Sequence, residues 1–320
     1  MSIARMMAND LALDQKTIFD IASASNNYRK IILPNGRIVW QPSSRLKILQ
    51  YWVADYLRKK GPKPTRYATA YEPGSSVRKN ALLHVRQWHM LRMDIAHFFP
   101  SVSAKLIYSY LNTSPLDACL SEKDKRLIVQ IVSRNGGLVM GAPSSPMLAN
   151  RALIDLDNEL AQAAASINSG IVYSRYSDDL AFSSKGFIDE RLVKTVECIL
   201  RKYGFNAHCE KTRWMGPGAN RTIAGVAFDN EGNLSLGKKR KVELKRMLYD
   251  FALNDEAKAK DAEKLLGFIM FAKSIDPHFV DLMLVKYSTY GKQPTMVKIN
   301  KLLSCLLYTS PSPRDMRRSR

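Results

Sequence analysis

Residues 171–184, IVYSRYSDDLAFSS, decide how this chain is read. Two short runs rich in Tyr, Val, Leu and Phe flank a polar tip, the pattern of a β-hairpin. Asp178 and Asp179 stand at its centre. Adjacent carboxylates repel each other and become useful where cations separate them from an anionic substrate. An ordinary Asp-Asp turn is the plain alternative. A second stretch, LRMDIAHFFPSV at 91–102, weighs against it: Asp94 ends an apolar run and two Phe follow. A strand edge with one Asp beside a hairpin with two is the carboxylate layout of a two-metal phosphoryl-transfer site.

The rest of the composition agrees with a polyanionic partner. The chain has 320 residues, 46% of them hydrophobic, enough for a large core in one multi-lobed unit or two to three subdomains. The net charge is +20, and the basic residues are spread along the whole length. Such an excess repels itself unless a polyanion offsets it, which favours nucleic acid over a merely solvated basic surface. There is neither a run of eighteen apolar residues nor a signal-peptide pattern, so no membrane partner is expected and the location is read as cytoplasmic. Cys119, Cys198, Cys209 and Cys305 have no zinc-ligand spacing and read as reduced, part-buried thiols. Residues 305–315, CLLYTSPSPRD, resemble the in-frame translation of a sequencing-library adaptor, the alternative being a flexible tail. Without residues 305–320 the charge is still +17.

From the N-terminus, a short amphipathic helix is expected around 14–24. Two strands follow, joined at Pro34-Asn35-Gly36, with Arg37 just after the turn. Arg37 is either a solubility residue or a forked contact to a triphosphate. A helix starts at Ser43 or Ser44 and runs through LKILQYWVADYL. A loop-rich stretch interleaves Arg78, Lys79 and Arg86 with Tyr67, Tyr71 and Trp88, a mixture suited to phosphates and stacked bases. Beyond Asp94 come a helix from Ser101 or Ser103, a helix opened by Ser121-x-x-Asp124 and ended by Gly136-Gly137, and one long helix from Met147 to Ile167. The turn at Gly141 and Pro143 leading into that helix is either a connector or, beside a phosphate, a source of free N–H groups. A helix at 187–204, short strands to 235 and basic helices from Gly237 complete the chain. Between Met90 and Arg213 the order of elements is that of a split βαβ sheet covered by helices.

Tyr176-Ser177-Asp178-Asp179 in a hairpin, Asp94 on the earlier strand and Gly141-Ala142-Pro143-Ser144-Ser145-Pro146 between them resemble the palm of reverse transcriptases. The resemblance runs from about 28 to 291, and its details resemble the bacterial retron enzymes: Asn80-Ala81-Leu82-Leu83-His84 matches their NAxxH element, and RIVWQPSSRLKILQ matches their early fingers region. Two positions depart. Met140 stands where related enzymes often carry Gln, and Ile223-Ala224-Gly225 stands where retrons carry Val-Thr-Gly.

The resemblance implies an α+β right-hand polymerase with fingers, a split-βαβ palm and a helical thumb. The N-terminal segment and fingers would occupy 1–90, the palm 91–236 with a finger insertion near 112–140, the thumb 237–304 and a tail 305–320. It implies an RNA-directed DNA polymerase in which Asp94, Asp178 and Asp179, with the Ile95 carbonyl, hold two Mg²⁺ ions. Asp178 is the first choice of the hairpin pair, and Lys211 is a proton donor to pyrophosphate. Nucleotide binding falls to Arg37, Ile95, Ala96, His97, Phe98, Phe99, Gly141, Ala142 and Pro143. Phe99 is the sugar gate favouring dNTPs, and the Phe98 ring is expected in the core. Asn80, His84, Lys238, Lys239, Arg240 and Lys245 fall to nucleic acid, with a structural His84 equally open. In retrons the template is a structured noncoding RNA, the product a branched RNA–DNA (msDNA) and the context phage defence with a separate effector protein. Another bacterial reverse transcriptase, of the abortive-infection, defence-associated or group II intron-like type, is the nearest rival. A catalytically silent RNA-binding protein is the rival from another class.

Overall fold

Helix caps and alternating strands divide the chain much as its sequence implies. The computed structural model describes residues 2–33, 36 and 38–309, and of 305–309 the backbone alone. Arg37 and most of the turn at Pro34-Asn35-Gly36 therefore lie outside the described residues. Helix α1 spans Ile3–Leu11 and α2 spans Gln15–Ser23. Ser2 and Asp14 cap them by accepting from the N–H three residues on. The sequence reading gives α2 and omits α1, which buries Ile3 and Met7 completely. Strands β1 (Tyr28–Ile32) and β2 (Ile38–Pro42) form an antiparallel pair, and α3 (Ser44–Lys60) starts from a Ser43 cap.

There follow α4 (Val77–Leu82), β3 (His89–Asp94), α5 (Phe98–Ser101), α6 (Ala104–Leu111), α7 (Leu116–Cys119) and α8 (Glu122–Val132). Ser121 and Asp124 complete a capping box at α8. α8 stops at Val132 rather than at Gly136-Gly137, because β4 (Ser133–Arg134) and β5 (Gly137–Leu138) turn back on each other. The expected helix from 147 to 167 is two, α9 (Ser145–Ala152) and α10 (Ile154–Ile167). Buried Leu153 leaves helical geometry at φ −110°, ψ 18°.

Strands β6 (Val172–Tyr176) and β7 (Asp179–Ser184), helix α11 (Arg191–Lys202) and strand β8 (Arg213–Met215) complete the central layer. Its sheet has the order β6-β7-β3-β8, antiparallel throughout. Side chains alternate across a strand. Leu91, Met93, Leu180, Phe182 and Tyr173 therefore share one face, and they join Leu156, Leu160, Leu192 and Val196 of α10 and α11 in the core. The opposite face carries Asp94 and Asp179.

The chain forms two compact units, Met1–Ala219 and Asn220–Arg320. The four-stranded sheet and the helices packed on it belong to the first. The second starts ahead of the expected 236/237 boundary, because three short strands join the helices rather than the palm: β9 (Thr222–Ile223), β10 (Val226–Phe228) and β11 (Leu234–Ser235). Helices α12 (Gly237–Leu253), α13 (Ala259–Ile275), α14 (Pro277–Tyr287) and α15 (Thr295–Thr309) bury Leu244, Leu248, Phe251, Leu265, Ile269 and Val280. Cys119, Cys198 and Cys209 are free thiols and exposed, not part-buried as expected. Among the described residues no helix is long and apolar enough to cross a membrane.

Candidate active site

Asp94 is the last residue of β3 and Asp179 the first of β7, and the two are direct partners in the antiparallel register. Directly opposed residues put their side chains on one face, about 5 Å apart at Cβ. Tyr176 pairs with Asp179, so Ser177 and Asp178 alone make the turn. The Ile95 N–H donates to the Asp178 carbonyl at 2.9 Å, tying that turn to the end of the Asp94 strand. Ile95 is extended, and in a bridge to Ala207 its neighbours carry the hydrogen bonds: Ala96 N–H to Asn206 and His208 N–H to Asp94. N–H and C=O of one strand residue point the same way, so the Ile95 carbonyl lies on the side of the Asp178 turn.

Asp94 is 8% exposed, and Asp178 and Asp179 are half-buried. Burial pushes the Asp179 carboxyl above its ordinary range. The negative charges of Asp178 and Asp94 add to that, while Arg92 and Lys211 oppose it. Lys211 Nζ lies 2.9 Å from Asp94 Oδ1, its side chain still 45% exposed. Among the described residues no three of His, Cys, Asp or Glu stand close enough together to bind one ion as they are placed. The donor set nevertheless has the right chemistry for Mg²⁺. Three hard-oxygen carboxylates and a carbonyl are placed around one strand end, and the repulsion among the carboxylates is what a divalent cation relieves.

The nucleotide-side residues divide. Phe99 is half-buried and has two rings nearby, Phe98 at 5.3 Å and Tyr71 at 6.3 Å between centroids. His97 is exposed at φ +50°. Ile95 and Phe98 have core side chains, and Phe98 stacks on Phe205 at 6.5 Å. The N–H groups of Ile95, Ala96 and Ala142 donate to the carbonyls of Asp178, Asn206 and Val139 inside the fold. Gly141, at φ +98°, is exposed and lies against β2. A Cβ there would stand 2.9 Å from Val39 Cγ1, which is why this turn takes glycine. Pro143 follows half-buried.

Asn80 and His84 are both buried against the sheet, which departs from the nucleic-acid contact expected of Asn80 and, of the two readings left open for His84, favours the structural one. Ser174 donates to Asn80 Oδ1 at 2.7 Å, so it accepts from His84 Nε2 at 2.8 Å. Nδ1 is left to accept from Ser183 at 2.6 Å. This neutral imidazole is held by burial down at a pKa of about 4. The pair fastens the 67–88 segment onto the sheet face that carries Asp94 and Asp179, with its polar atoms buried. On α12, Lys238, Lys239 and Lys245 are exposed. Arg240 instead donates to the Gly225 carbonyl and stacks on Phe271 at 4.8 Å. These contacts hold its guanidinium against the fold.

Sequence reading missed the groups that hold the Ser177-Asp178 turn. Arg175 Nη1 donates to the Ser177 carbonyl and to Asn150 Oδ1, each at 3.3 Å. Tyr71 Oη lies 2.6 Å from Ser177 Oγ. The one available signal was an Arg at a strand position whose alternation points inward.

Residues 29–269 match the family model described as reverse transcriptase (RNA-dependent DNA polymerase). Retron Ec83 reverse transcriptase of Escherichia coli is 30% identical over 266 residues, which is 78% of this chain and 82% of that one. Retron Ec86 reverse transcriptase of Escherichia coli is 27% identical over 266 residues, 81% and 79% of the two chains. Among solved structures, apo telomerase from Candida Tropicalis aligns with 88% of this chain and 64% of that one at a TM-score of 0.45 and 13% identity.

Proposed function

Because the chain belongs to the reverse transcriptase family, with its right-hand α+β fold and RNA-directed DNA polymerase activity, we propose that it is a retron enzyme. In this reading it adds dNTPs with two Mg²⁺ ions and copies a structured noncoding RNA into branched msDNA. The observation that carries the reading is the register setting Asp94 opposite Asp179, with Asp178 tied to the same strand end through Ile95. Asp94, Asp178, Asp179 and the Ile95 carbonyl would hold the ions, which supply activation of the primer hydroxyl and neutralisation of the departing pyrophosphate.

The chain's own groups do the rest. The Phe99 ring blocks a ribose 2′-OH and so favours dNTPs. Lys211, with half its side chain in solvent beside Asp94, delivers a proton to the pyrophosphate oxygen. His97 and Gly141, exposed near the ends of β3 and β5, contact the incoming nucleotide, with Arg37 as a candidate for its triphosphate. Lys238, Lys239 and Lys245 neutralise template–primer phosphates. The curated relatives named above are retron reverse transcriptases, which supports the retron reading; in that reading the template is a structured noncoding RNA and the context is phage defence beside a separate effector protein.

Primer extension on an RNA template with dNTPs and Mg²⁺ tests the site. Asp178→Ala should abolish synthesis and leave RNA binding intact, and extension at the parent rate would overturn the assignment. Sequencing the nucleic acid that copurifies with the protein tests the retron reading. Covalently joined RNA and DNA supports it, and DNA without such a joint favours another bacterial reverse transcriptase.

A further inference from the structure

Tyr71 lies 106 residues from the catalytic turn in sequence and touches it in space. Its hydroxyl is 2.6 Å from Ser177 Oγ, and its ring centroid is 6.3 Å from that of Phe99 at 40°. Both Tyr71 and Ser177 have φ near +63°, a left-handed backbone that bulky residues avoid unless the surroundings impose it. Those surroundings are specific. Ala68 bridges Arg175 in parallel, with Thr69 N–H donating to the Arg175 carbonyl at 2.9 Å and Arg175 N–H to the Tyr67 carbonyl at 2.8 Å. Asn150 Nδ2 holds the Ala70 carbonyl at 2.5 Å, and Arg151 pairs with Glu72 at 2.7 Å. Tyr71 is thus clamped on both sides, yet it remains 38% exposed.

We propose that Tyr71 is a positioning residue for both halves of the site: its hydroxyl sets the Ser177-Asp178 turn, and its ring backs the Phe99 ring that selects the sugar. The second half rests on the reading of Phe99 as the sugar gate. The hydroxyl holds Ser177 in its unfavourable conformation, and so fixes where the Asp178 carboxylate points. The ring, with that of Phe98 5.3 Å away, restricts how far Phe99 tilts from a 2′-OH.

Two measurements on RNA-templated primer extension separate the halves. Tyr71→Phe keeps the ring and loses the hydroxyl. It should lower kcat for dNTPs by roughly 10- to 100-fold with KM and the dNTP:rNTP preference unchanged. Ser177→Ala should do the same, and the double variant should be no slower than either single one. Parent-like kcat in Tyr71→Phe, or losses that multiply in the double variant, would overturn the hydroxyl half. Tyr71→Ala should additionally lower the dNTP:rNTP preference, as Phe99→Ala does. If Phe99→Ala lowers it and Tyr71→Ala does not, the ring half is wrong. If Phe99→Ala leaves it unchanged, the gate reading itself fails, and the ring half with it, while the kcat cycle still decides the hydroxyl half.

Discussion

Arg175 and Asp157 meet in a two-pronged ion pair with neither side chain exposed, Nε 2.8 Å from Oδ1 and Nη2 2.7 Å from Oδ2. Asp157 also accepts from Tyr173 at 3.0 Å and Thr65 at 3.1 Å. Burial and the Asp157 charge drive the Tyr173 hydroxyl well above its usual range, so it stays a donor. Removing one partner of such a pair strands a buried charge. Arg175→Leu and Asp157→Leu should each cost about 3–5 kcal/mol, and the double variant much less than their sum. Urea unfolding of the three variants checks this. Costs that add would mean the two side chains act independently.

His84 should give the protein an acid-sensitive limb. Its folded pKa is about 4 against an ordinary 6.5. The unfolded chain therefore takes up a proton first as pH falls. The stability from neutral His84 is complete above about 6.5 and drains away toward 4, by roughly 3 kcal/mol in total. His84→Gln should be less stable at neutral pH with a flatter slope across that window, and its RNA affinity should equal the parent's. Lost RNA affinity in a folded His84→Gln would return this residue to the nucleic-acid surface.

The carboxylates were legible because their signal is local: an apolar run ending at Asp94, and Asp178 and Asp179 between two strand-like runs. Helix starts at Asp14, Ser43 and Ser121 were legible for the same reason, since a cap and its partner lie three residues apart. What escaped depends on partners far along the chain. Asn80 and His84 look like any exposed polar pair until Ser174 and Ser183 arrive from the hairpin. Tyr71 reads as a loop aromatic until Ser177 reaches it. The break at Leu153 and the early end of α8 escaped because apolar periodicity runs through both.

Lys211 stands against Asp94 while still half in solvent. A proton donor to the leaving pyrophosphate acts only as charge develops there, so its removal should show in kcat. Lys211→Ala should lower kcat by about 100-fold or more with dNTP KM little changed. A change confined to KM would make it a binding residue instead.

The basic residues of α12 should differ from one another in a way that salt reveals. Lys238 and Lys239 are exposed, and Lys245 is exposed with its Nζ 5.8 Å from the Phe279 ring centroid, whereas Arg240 is half-buried and donates to Gly225 beside the Phe271 ring. Each phosphate contact releases a condensed counterion, so each lost contact lowers the slope of log affinity against log salt by roughly 0.7–0.9. Changing all three lysines to Gln should lower the slope by about 2–3 and weaken binding alike on unrelated RNA–DNA hybrids. Arg240→Gln should leave the slope alone and lower the melting temperature. It removes a donor from a turn in which Ala224 and Gly225 both have positive φ. Affinity measured at several salt concentrations, beside thermal melts of the same variants, decides between the two roles. A slope change in Arg240→Gln at parental stability would return it to the nucleic-acid surface.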